Sequence, residues 1–71
     1  MPTNKTHRHI AKMFKEHRLA NGLTQKELAE KAGVNHNGYA KMERNLQKAS
    51  VDTIEKLARA LNLSAKDIFP F

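Results

Sequence analysis

Asn37 and Lys41 stand one helical turn apart, with His36 beside them. An asparagine amide presents a donor and an acceptor side by side, the pattern that pairs bidentately with adenine. A lysine ammonium donates to the O6 and N7 of guanine. This is chemistry that reads a surface and leaves its bonds intact. The chain lacks the groups that would break bonds: it shows no nucleophile–base pair and no phosphate-cradling glycine loop, which argues against an enzyme. There is no cysteine. His7 and His9 are close together, but His17 and His36 fall on separate segments, and no His-x-x-x-His pair exists. Neither a metal site nor a cofactor is expected.

Lysine and arginine number 13 against 7 acidic residues, a formal charge of +6. The excess is uneven. Residues 1–48 hold ten bases and four acids; residues 49–71 hold three of each. A basic half joined to a neutral half predicts one surface facing a polyanion and another with a different task. A chain of 71 residues makes one domain with a modest core and no deep cleft. No apolar run is long enough to span a membrane, and the start lacks a signal peptide's apolar stretch, so a cytoplasmic location is expected.

The elements that must position these groups are helices. A first helix is expected over 7–21, with Ile10, Met13 and Phe14 on its inner face, His17 as a polar entry expected to be partly buried, and Gly22 closing it. Residues 1–6 are expected as a flexible basic arm, continued by His7, Arg8 and His9. Three later segments repeat one start signal, in which an apolar residue precedes a capping residue and another follows four positions after the cap. Leu23-Thr24-Gln25-Lys26-Glu27-Leu28 is the clearest, with Thr24 and Glu27 able to cap each other. Asn35 and Ser64 head the other two, with Asp67 in the acidic slot of the last, and Ser50 heads a looser version. Helices are therefore predicted over 25–32, 36–44, 51–61 and 65–69. The fourth carries Val51, Ile54, Leu57, Ala58 and Leu61 on one face. Asn45 and Asn62 fall at helix ends, where asparagine tolerates left-handed backbone. The tight turn around Gly33, with Val34 as a plug and the small Ala29 behind it, lets the second and third helices cross closely.

Gly22-Leu23-Thr24-Gln25-Lys26-Glu27-Leu28-Ala29-Glu30-Lys31-Ala32-Gly33-Val34 resembles the first half of the Cro/lambda-repressor-like, or XRE, helix-turn-helix family. Tyr39-Ala40-Lys41-Met42-Glu43-Arg44-Asn45 is similar to the end of that family's third helix, and 50–63 to its fourth. The resemblance covers about 10–69. It implies an all-α, five-helix, lambda-repressor-like fold over 7–71 and a transcriptional regulator, a repressor or autoregulatory controller, that inserts the third helix in the major groove of a palindromic operator. It implies base reading by His36, Asn37 and Lys41, and phosphate contacts from Thr24, Gln25, Arg44, Asn45 and Lys48. It also implies a structural pair between Arg18 and Glu43. This chain departs from the family at His17, where an aliphatic residue is usual, at Gly38, early in the third helix, and at Asn45, where glycine is usual.

The end of the chain is apolar. Ile68, Phe69 and Phe71 lie on the neutral half, and an isologous contact there would make a homodimer spaced for a palindrome on double-stranded DNA. Ile68 also has an inward role, stapling the short fifth helix to the fourth with Leu63. With the chain ending right after the fifth helix, no separate sensing domain is expected. The alternative is an antitoxin-type interaction module, which would bind a toxin protein through the neutral half as well as DNA.

Overall fold

The computed structural model describes residues 5–69 as five helices: α1 Lys5–Ala20, α2 Gln25–Ala32, α3 His36–Glu43, α4 Val51–Ala60 and α5 Ala65–Ile68. No strand occurs among the described residues. The caps explain where the helices begin. Thr24 Oγ1 accepts from the Glu27 amide at 3.0 Å, and the Glu27 carboxylate accepts from the Thr24 amide at 2.8 Å. Asn35 Oδ1 accepts from the Gly38 amide at 2.9 Å, and Ser50 Oγ from Thr53 at 3.1 Å. Each such cap stabilises its helix by about 1 kcal/mol. At α5 the carboxylate does the capping: Asp67 Oδ2 accepts from both the amide and the hydroxyl of Ser64, at 2.8 and 3.0 Å. Left-handed residues follow the first four helices, with Gly22, Gly33, Asn45 and Asn62 all at φ between 57° and 74°.

α1 corrects the expected boundary. It begins at Lys5, so Lys5 and Thr6 are helix rather than arm, and His7, Arg8 and His9 follow within it. Residues 1–4 of the expected arm lie outside the described residues, as does Phe71. His9 explains part of the change. Its ring N–H donates to the Ile68 carbonyl at 3.2 Å, tying the first turns of α1 to the end of α5. That carbonyl is one of those a helix end leaves without an internal partner.

The core joins Ile10, Ala11, Met13 and Phe14 of α1 to Leu28 and Ala29 of α2, Tyr39 and Met42 of α3, Ile54, Leu57 and Ala58 of α4, and Leu61 and Ile68. Ala29 is fully buried where α2 meets its neighbours, and Val34 packs partly buried beside the turn. His17 is half-buried, as its place on α1 suggested. The residue that turns fully inward is its neighbour Arg18, four positions after Phe14. Val51 departs from the expected inner face of α4 and is 73 % exposed. It is the first residue of the helix, beyond the edge of the core that Ile54, Leu57, Ala58 and Leu61 form.

Candidate nucleic-acid interface

α2 and α3 meet at the Gly33 turn, and the outer side of α3 is polar. His36, Asn37 and Lys41 are all exposed. They share that side because Tyr39 and Met42 take the opposite one into the core. Thr24, Arg44 and Lys48 are exposed as well, while Gln25 and Asn45 are half-buried. Thr24 Oγ1 accepts the cap bond of α2, and its hydroxyl hydrogen is left to donate. The structure brings Thr24 and Gln25 to the start of α2, and Arg44, Asn45 and Lys48 to the segment leaving α3.

A buried ionic network holds this face against the body of the domain. Arg18 donates from Nε to Glu43 Oε2 at 2.8 Å and from Nη2 to Oε1 at 3.0 Å, and from Nη1 to the Leu23 carbonyl at 2.7 Å. Gln25 Nε2 donates to Glu43 Oε1 at 3.0 Å, and the Tyr39 hydroxyl donates to Oε2. The Arg18 and Glu43 side chains are only 9 % and 3 % exposed. The pair therefore joins α1 to the last turn of α3, and Gln25 adds the first turn of α2. Among the described residues no buried side-chain polar atom lacks a partner, so the charges are fully compensated.

The electrostatics follow from that geometry. Burial pushes the Glu43 carboxyl up, but the hydrogen bonds from Arg18, Tyr39 and Gln25 outweigh it and hold Glu43 below the ordinary carboxylate range. Burial, and then the bond to the Glu43 carboxylate, raises the Tyr39 hydroxyl well above its usual value. The bond to Glu43 raises Arg18 against the opposing effect of burial. Glu43 is a structural anion, with every near neighbour a donor.

Sequence reasoning placed Arg18 with Glu43 through the family resemblance, but missed Tyr39 and Gln25 as partners. Tyr39 fits the apolar place four positions after the Asn35 cap, which hides its polar role. Its spacing of four from Glu43 on one helix was the available signal. Nothing local in the sequence marks the Gln25 contact, which spans 18 residues and depends on the turn.

Of the two roles expected for Ile68, the structure shows the inward staple, which leaves little of its side chain for a dimer contact. At 4 % exposure it seats α5 on the core. Phe69 is 42 % exposed and stands at the edge of an apolar cleft of about 390 Å³ between α4 and α5, which Val51, Ile54 and Leu63 also line.

A helix-turn-helix family model matches residues 14–68. The chain belongs to the helix-turn-helix family. It is similar to the HTH-type transcriptional regulator ImmR of Bacillus subtilis (strain 168), at 38 % identity over 55 residues, covering 78 % of this chain and 43 % of that protein. The chain thus spans less than half the length of that relative. Among solved helix-turn-helix structures, the restriction-modification controller protein C.AhdI from Aeromonas hydrophila matches with a TM-score of 0.82 and 30 % identity, over 89 % of this chain and 96 % of that one. The C.Esp1396I controller tetramer in complex with its natural 35 base-pair operator matches with a TM-score of 0.85, over 96 % and 90 %. At 24 % identity the latter likeness shows the fold. No described helix is long and apolar enough to cross a membrane.

Proposed function

We propose that this domain is a sequence-specific regulator of transcription that lays α3 in the major groove of a short operator. The observation that carries the reading is the outer side of α3: three exposed hydrogen-bonding residues on a helix whose other side is locked by the Arg18–Glu43 network. A reading helix must be held rigidly to discriminate bases, and the network supplies that hold. His36, Asn37 and Lys41 contact base edges. Thr24 and Gln25 grip phosphate at the start of α2, where the helix dipole favours an anion, and Arg44, Asn45 and Lys48 grip it beyond α3. The +6 charge supplies the attraction that does not depend on sequence.

The domain binds as a homodimer through the cleft between α4 and α5. Exposed Val51 and Phe69 offer the apolar surface. Glu55 and Arg59 also line it; one turn apart on α4 and opposite in charge, they can pair crosswise with a copy related by a two-fold axis. Such a dimer recognises a palindrome, and operator occupancy then controls transcription as a repressor or an autoregulatory controller does. Selection of bound duplexes from a random DNA pool tests the reading. Enrichment of an inverted repeat supports it; recovery of sequences without any common element contradicts it.

A further inference from the structure

The segment after α3 returns along the helix it has just left. Asn45 makes the reversal with φ 61°, and the Leu46 amide donates back to the Lys41 carbonyl at 2.8 Å. This brings Gln47 alongside Gly38, nine residues earlier. A Cβ at position 38 would meet Gln47 Nε2 at 3.5 Å and Asn35 Oδ1 at 3.7 Å. The Gln47 amide therefore sits beside the place that a side chain of α3 would otherwise occupy. Gln47 is exposed, and Gly38 precedes Lys41 by three residues, so the two share a flank of the helix.

We infer that Gln47 is a specificity-determining residue, delivered from the loop onto the reading face through the gap left by Gly38. The inference rests on the proposal that α3 enters the major groove. A glycine at position 38 brings no hydrogen-bonding group of its own to that flank. It also leaves the Gln47 amide as the polar group beside that position, 3.5 Å from where a Cβ would stand. A glutamine amide offers both a donor and an acceptor, the pattern that pairs with adenine on its major-groove edge. The base it reads lies next to the one that Lys41 reads, on the side of the loop. The reading surface is therefore composite, made of α3 and of a residue beyond its end.

The test is selection from a random duplex pool with the wild-type chain, Gln47→Ala, Gln47→Glu and Lys41→Ala. Position 47 is on the surface, so both of its variants keep the fold, and thermal unfolding verifies this. Gln47→Ala should lower discrimination at one base pair adjacent to the Lys41 position by at least about five-fold, leaving the rest of the operator intact. Gln47→Glu should move the preference there toward cytosine, whose amino group a carboxylate can accept. An operator profile identical to wild type in both variants overturns the inference. Weaker binding to all sequences alike also overturns it, because that marks a phosphate contact. If Lys41→Ala changes the profile and the Gln47 variants do not, only the role of Gln47 fails. If no variant alters the profile, or wild type selects nothing, the placement of α3 fails with it.

Discussion

Replacing Glu43 by glutamine should remove a large part of the stability of this domain. The substitution keeps the shape of the side chain and removes one charge. Glu43 accepts two hydrogen bonds from Arg18, one from Gln25 and one from Tyr39, and its side chain is 3 % exposed. An amide has one acceptor oxygen, so its NH₂ must face at least one of these donors. The Arg18 guanidinium, 9 % exposed, then lacks its counter-charge. Breaking a buried pair in this way costs about 3–5 kcal/mol. A domain of this size has a total stability of about 4–10 kcal/mol at the usual value per residue. The apparent Tm should fall by more than about 12 °C. Urea denaturation at pH 7 measures the change directly. The pH profile gives an independent check. Glu43 titrates below its unfolded value when folded, so its contribution is complete above the ordinary carboxylate range and disappears as pH falls through its depressed pKa. Glu43→Gln should flatten that acid limb. A variant within about 1 kcal/mol of wild type at pH 7, with the acid limb unchanged, would refute the reasoning, since the pair would then be no stronger than a surface contact.

Gly38→Ala should stabilise the domain by up to about 1 kcal/mol, because the position is helical with ordinary φ and a methyl there meets nothing closer than 3.5 Å; chemical denaturation checks it. Lys41→Ala should relax base preference at one operator position, costing about 1–3 kcal/mol, and should make the slope of log K against log salt shallower only if the ammonium also contacts phosphate. Phe69→Ala should weaken self-association and cooperative operator binding while sparing contacts to a single half-site, as read by sedimentation and by titration with half-site and full-site duplexes.

Much of this architecture is legible in the sequence, because its signals are local. Thr24, Asn35, Ser50 and Ser64 mark helix starts by chemistry confined to four residues, and Asn45 and Asn62 mark ends by a backbone preference that few residues share. What could not be read depends on distant groups. The sequence around the start of α1 lacks the apolar pair that brackets the caps of α2, α3 and α5, with Thr3 and Arg8 in those places, and His9 is anchored by a carbonyl 59 residues away. Val51 fits the apolar period of α4, yet a period cannot say where the core stops. Gln25 resembles any exposed helix-start residue until the turn brings Glu43 to it. The approach of Gln47 to Gly38 requires the exact path of the loop.

The placement of α3 in the groove is tested most directly by following the backbone amides by NMR as a selected operator duplex is added. Residues 36–41 should show the largest shifts, with 24, 25 and 44–48 next, and α5 should move only through the dimer contact. Shifts concentrated on α4 and α5, with the amides of α3 unmoved at saturation, would contradict the account.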